Sequence, residues 1–84
     1  DNLSYDVVKD ITLSKINEVK EKYKKRINIT LNDNVINEII NLSNYKEFGA
    51  RKIEKLVKDK IEVIVIDEIV MENKSVTISE LVNA

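Results

Sequence analysis

The sequence predicts a small α+β domain in which three helices pack against one side of a short β-sheet. The chain has 84 residues; its apolar residues recur with helical spacing in three segments and alternate with polar residues in two short ones. A chain of this length buries roughly 60 % of its unfolded surface, which is enough for one modest core. The predicted order of elements is α-β-α-α-β.

The first helix is predicted to begin at Ser14, whose hydroxyl can cap the first turn. Ile16, Val19 and Tyr23 follow at positions i, i+3 and i+7, so they share one face. Lysines collect at the far end of this helix, where positive charge complements the helix dipole. Residues 1–12 show no sustained period and are expected to be a linker or the end of a preceding domain. The domain proper is then expected to span residues 13–84.

The period changes to two in "RINITLND", which predicts a five-residue strand with one buried face. Its alternating apolar residues are Ile27, Ile29 and Leu31. Asn32 or Asp33 is expected to cap a second helix that ends near Ser43 or Asn44. The apolar face of that helix is formed by Val35, Ile36, Ile39 and Ile40.

A third helical pattern starts at Ala50. Its apolar positions are Ile53, Leu56, Val57, Ile61 and Ile64. The β-branched segment "IEVIVIDEIV" would also suit a strand, but a strand starting at Ile61 leaves a short helix with no turn residue after it. A helix that continues to about Met71 is simpler, and a segment that is apolar on all sides indicates burial in the core. After the turn "ENK", "SVTIS" predicts a second strand with Val76 and Ile78 on one side.

The composition excludes several classes of site. The chain has no cysteine and no histidine, which rules out disulfides, thiolate or imidazole metal sites and histidine-based triads. A single glycine rules out a glycine-rich phosphate loop. We therefore expect neither catalytic residues nor a metal site in this chain. A net charge of −1 gives no electrostatic reason to bind nucleic acid or an anionic membrane.

The segment "NYKEFGARKIEKLV", residues 44–57, holds the candidate site. Gly49 can adopt a positive φ angle without a Cβ penalty. Arg51 is placed in the first turn of the following helix. Its planar guanidinium has paired N–H donors that can bind phosphate oxygens, and the N-terminal end of a helix is positive and also attracts phosphate. The alternative is a surface ion pair between Arg51 and Glu47 or Glu54, worth roughly 0–1 kcal/mol. The residues alone favour that alternative.

The other lysines and aromatic residues that could form a binding site are expected to have structural roles. Lys55 and Lys58 lie one and two turns beyond Arg51 and are expected to be solvated. The cluster "KYKKR" has the composition of a nucleic-acid patch, but Tyr23 fits the core stripe better. Tyr45 and Phe48 are expected to anchor their loop on the core.

"FGAR" followed by an amphipathic helix resembles the "GARPLxRxI" signature in the C-terminal small domain of Clp-type AAA+ unfoldases, the ClpB/ClpC class of chaperones. "NYKEFGAR" is similar to the family's "GYDxxYGAR", and "KRINITLNDNVINEII" to its strand and capped helix. The resemblance covers about residues 13–84. Lys52 stands where the family usually has a proline, and Lys55 replaces the second arginine of the signature.

The resemblance implies a lid domain that follows an AAA+ large domain, which would bind most of the ATP and its Mg²⁺. Arg51 would be the sensor-2 arginine that reaches the phosphates, with Gly49 and Ala50 completing the motif and Lys55 in a further motif position. This fragment alone would hydrolyse no ATP. The implied partners are that large domain, neighbouring subunits of a homo-hexamer, protein substrates and a Clp protease, with no nucleic acid and no membrane.

Asn, Lys and Ile are over-used and proline is absent, which suggests an AT-rich genome. Together with the resemblance, this suggests an intracellular location, in a plastid or apicoplast or otherwise in the cytoplasm. Two alternatives remain open from the residues. One is a stand-alone α+β protein-interaction module without a nucleotide role, and the other is a nucleic-acid-binding domain that uses "KYKKR".

Overall fold

The computed structural model describes residues 4–81. Its elements are α1 (Tyr5–Tyr23), β1 (Asn28–Leu31), α2 (Asp33–Ser43), the single turn α3 (Tyr45–Phe48), α4 (Ile53–Val57), a π-helical turn (Lys58–Glu62), α5 (Val63–Val70) and β2 (Ser75–Ile78). The last three helical segments form one continuous helix, which we call the long helix. The predicted fold class and order of elements are confirmed, with α3 as an additional turn.

Helix α1 begins at Tyr5, so the predicted start at Ser14 is wrong. The cap is Ser4, whose hydroxyl oxygen accepts a hydrogen bond from the backbone N–H of Val7 at 3.3 Å. Ser14 is an exposed residue inside the helix. Residues 5–12 therefore continue into the helix that was expected to start later, and their assignment to a preceding domain stays a prediction.

The two strands pair in parallel, with Ile29 beside Val76 and Leu31 beside Ile78. Parallel strands need a crossover connection, which α2, α3 and the long helix supply. Both predicted strands are confirmed, and Ile27, just before β1, is buried.

The core lies where α1, α2 and α4 pack against one another. Its buried apolar residues are Val8, Ile16, Val19, Ile27, Val35, Ile36, Ile39, Ile40, Ile53, Val57, Ile61, Val65, Ile78 and Leu81. Thr12 is also buried, and its hydroxyl donates to the carbonyl oxygen of Val8 at 2.8 Å, so the polar atom has a partner.

The long helix reaches Val70, close to the predicted end at Met71. It buries Ile53, Val57, Ile61 and Val65, one residue in every four. In an α-helix a four-residue step advances about 40° beyond a full turn, so three steps would carry this row about 120° away from the core. The π-helical turn is wider, and we infer that it absorbs part of this drift.

The expectation that the end of the long helix is buried on all sides is wrong. Val63 and Ile66 are each 43 % exposed, and Val70 is 74 % exposed. The long helix runs beside α1, with Lys15 near Glu54 and Lys22 near Glu62. Helix α1 ends at Tyr23, so α5 extends beyond it and α1 does not cover this part of the long helix. Within residues 4–81, no helix combines the length and apolarity needed to cross a membrane.

Candidate functional site

The candidate site lies in the turn between α3 and α4. Helix α2 ends at Ser43 and is capped by Asn44, which has left-handed angles of φ 48° and ψ 53°. Gly49 has φ 66° and ψ −149°, and its N–H donates to the carbonyl oxygen of Tyr45 at 2.8 Å. This combination of angles is found essentially only in glycine. Gly49 is therefore the residue that lets the chain reverse between α3 and Arg51.

Arg51 lies in the turn ahead of the long helix, so its predicted place in the first helical turn is wrong. The N–H of Ile53 donates to the carbonyl oxygen of Ala50 at 3.0 Å, which closes a four-residue turn that contains Arg51. The first α-helical hydrogen bond here runs from the N–H of Leu56 to the carbonyl oxygen of Lys52 at 3.0 Å. The turn therefore displays Arg51 at the surface, where its side chain is exposed.

The predicted surface ion pair of Arg51 does not form. Glu47 accepts a hydrogen bond from the side-chain amide of Asn44 at 3.1 Å, and Glu54 lies 3.4 Å from the ammonium of Lys15. Within the part of the chain that the structure describes, no carboxylate lies within 4.0 Å of the Arg51 guanidinium. The guanidinium is therefore available to an anion from outside the domain.

Phe48 lies next to this guanidinium. The centre of its ring is 5.4 Å from Cζ of Arg51 and 3.9 Å from Nζ of Lys52, distances at which a cation is attracted to an aromatic face. Tyr45 packs against the core as predicted, whereas Phe48 is partly buried beneath the two cations. Sequence reasoning missed this arrangement, although an aromatic residue shortly before two adjacent cations was a usable signal.

Lys55 and Lys58 share the face of Arg51, as predicted. Together with Glu54 and Asp59 these three cations line one shallow depression. Lys55 already pairs with Asp59 at 3.2 Å, so an additional anion would compete with that carboxylate.

A second polar cluster joins α1 to the π-helical turn. Glu62, whose side chain is only 13 % exposed, accepts hydrogen bonds from Lys22 at 2.9 Å and from the Tyr23 hydroxyl at 2.5 Å. The hydrogen bonds from Tyr23 and Lys22 lower the pKa of Glu62 below its ordinary value. The bond to Glu62 in turn raises the pKa of both Lys22 and Tyr23.

This cluster argues against a nucleic-acid surface at "KYKKR". Lys22 and Tyr23 are engaged with Glu62, and Lys24 pairs with Glu21 at 3.0 Å. Tyr23 packs against the core and is not displayed for stacking on a base. Through their bonds to Glu62, Lys22 and Tyr23 hold α1 to the long helix.

The helices, the two-stranded parallel sheet and the turn that carries Gly49 and Arg51 make up a small α+β domain. A family model described as the C-terminal, D2-small domain of ClpB protein matches residues 3–81, and the chain belongs to that family. The chain is thus the C-terminal lid domain of a Clp-type chaperone. Family membership implies association with an AAA+ large domain and assembly into an oligomer. No curated protein and no solved structure gives a significant match.

Proposed function

We propose that this domain senses ATP bound to its AAA+ large domain, and that Arg51 is the sensor. The observation that carries the proposal is the availability of Arg51: its side chain is exposed, and both nearby candidate carboxylates are engaged elsewhere. A guanidinium keeps its charge at all physiological pH values and offers paired N–H donors that match phosphate oxygens. Gly49 and Ala50 set the turn that presents it.

The nucleotide and its Mg²⁺ are held mainly by the large domain in this proposal. Arg51 contributes a charge-assisted hydrogen bond to the phosphates, of the kind worth about 1.5–3 kcal/mol. Hydrolysis removes a phosphate and changes that contribution, so the two nucleotide states favour different positions of the lid. Lys55 makes at most an auxiliary contribution because Asp59 already neutralises it.

Substitution of Arg51 in the full-length protein tests this function. We expect Arg51→Ala to reduce ATP turnover roughly 10- to 100-fold, since one charge-assisted contact is lost, while the fold stays intact. Arg51→Lys should recover part of the activity, because a lysine keeps the charge without the planar fork. Lys46→Ala is the matched control, since Lys46 is exposed on α3 in the same segment. Unchanged turnover and unchanged coupling in Arg51→Ala would show that Arg51 is not the sensor.

We also propose that neighbouring subunits of a homo-hexamer cover the exposed face of α5. Val63, Ile66 and Val70 lie at positions i, i+3 and i+7 and form an apolar stripe on the surface. Contiguous exposed apolar side chains mark interaction sites, and membership of this family implies an oligomer. The assembled protein would act on protein substrates, with a Clp protease as a further partner.

A further inference from the structure

We propose that Lys52 is a second phosphate-binding cation that acts together with Arg51, and that Phe48 positions both side chains. The ligand class is the phosphate chain of a nucleoside di- or triphosphate. This inference rests on the proposed nucleotide role of Arg51 and extends it to two residues to which the family signature gives no such role.

The first argument is the shared ring. Lys52 Nζ lies 3.9 Å and Arg51 Cζ lies 5.4 Å from the centre of the Phe48 ring. Both cations are attracted to this one ring, and an anion that binds beside it would gain from both positive charges. Among residues 4–81, neither cation has a carboxylate within 4.0 Å. A polyphosphate, with several charged oxygens in a row, fits such a pair better than a single carboxylate does.

The second argument is that the ring is fixed to the turn. The N–H of Phe48 donates to the carbonyl oxygen of Asn44 at 3.0 Å, and the next residue is held by its bond to Tyr45. Free lysine and arginine side chains each lose about 2 kcal/mol of rotamer entropy when they are immobilised. A ring that already restricts both side chains lowers this cost of binding.

The third argument is the identity of residue 52. The resembling signature has a proline there, which carries no charge and no donor, whereas this chain has an exposed lysine. The charge of Lys52 can therefore be removed without changing Gly49, Ala50 or Arg51.

Nucleotide binding by full-length variants tests the inference. We expect Lys52→Gln to weaken binding of a fluorescent ADP analogue, and of ATP in competition with it, about 5- to 10-fold. Lys52→Arg should restore most of the affinity because it keeps the charge. Phe48→Leu should weaken binding about 3-fold, and Phe48→Tyr should bind as the wild type does, because the aromatic face is retained. Lys46→Gln, which removes an exposed charge from the same segment, should change nothing.

Salt dependence separates a phosphate contact from a structural role. The difference between the wild type and Lys52→Gln should shrink as ionic strength rises, since an exposed charge contact is screened. If Lys52→Gln binds like the wild type while Arg51→Ala does not, the role of Lys52 is disproved and that of Arg51 stands. If neither variant loses affinity, both proposals fail. Equal losses in Lys52→Gln and Lys52→Arg, with a lowered melting temperature, would mean that Lys52 is structural and would overturn the inference.

Discussion

Replacing Gly49 with L-alanine tests whether backbone conformation, and not lack of space, makes glycine necessary in the turn ahead of Arg51. The angles of φ 66° and ψ −149° fall in a region that costs other residues about 1–3 kcal/mol. Apart from Gly49 and its two neighbours in the chain, no heavy atom lies within 4 Å of the position that a Cβ would occupy, so contact with the rest of the domain adds nothing to this cost. The alanine also restricts the unfolded chain, which offsets about 0.4–1 kcal/mol. We expect a net loss of about 1–2 kcal/mol.

D-alanine at the same position provides a matched control with the same atoms. For a D-residue these angles are the mirror image of φ −66° and ψ 149°, which lie in the favoured polyproline II region. The D-variant should therefore avoid the strain and keep the unfolded-state benefit, so that it becomes more stable than the wild type by about 0.4–1 kcal/mol. A chain of 84 residues is accessible to chemical ligation.

Urea and thermal denaturation, both followed by circular dichroism, measure the stability of the two variants. For a domain of this size, each kcal/mol corresponds to roughly 4–8 °C in melting temperature, so the L-variant should melt about 5–15 °C lower than the wild type. Equal stability of the L- and D-variants, or an L-variant at least as stable as the wild type, would refute the assignment of a strained turn at Gly49.

Two further predictions concern the long helix. Because the pKa of Glu62 is lowered in the folded state, its contribution to stability is present above the ordinary value near 4.5 and is lost as pH falls through the lowered value. Glu62→Gln should therefore lose less stability than the wild type between pH 7 and pH 3, measured as the fall in the urea midpoint. Equal falls in the wild type and in Glu62→Gln would contradict the argument. Ile66→Glu should leave the stability of the isolated chain within about 0.5 kcal/mol but reduce assembly of the full-length protein in sedimentation velocity. Leu42→Glu, a similarly exposed position on α2, is the control, and normal assembly of Ile66→Glu would exclude α5 as the subunit contact.

The order of elements was predictable because the apolar period changes between 3.6 and 2 along the chain, and the structure has both strands and all three main helices where those periods occur. The start of α1 was not predictable in the same way. Its core position at Thr12 is occupied by a polar residue, which interrupts the apolar pattern, and only the bond to the Val8 carbonyl makes that burial acceptable. Ser4 and Ser14 are both suitable caps, so sequence alone favoured the wrong one.

The candidate site was predictable in its residues but not in its geometry. The motif placed Gly49 and Arg51 together, yet the helix begins only at Ile53, because a four-residue turn closes first between Ala50 and Ile53. The engagement of Glu47 by Asn44 and of Glu54 by Lys15 depends on where side chains meet in the folded state. The ring of Phe48 beneath the cations depends on the same packing, so none of these contacts follows from a periodic pattern.

The long helix connects the two surfaces that the proposals concern. The Arg51 turn precedes its first residue, Ile53, and the apolar stripe extends from Val63 to Val70, so about 15 to 25 Å of helix separates them at 1.5 Å per residue. A helix is most easily bent where its hydrogen bonding is irregular, which here is the π-helical turn. Glu62 lies in that turn and is held to α1 by Lys22 and Tyr23. If the sensor and assembly proposals both hold, this attachment makes the helix and α1 move as one body, so that a phosphate contact at the turn displaces the subunit contact directly.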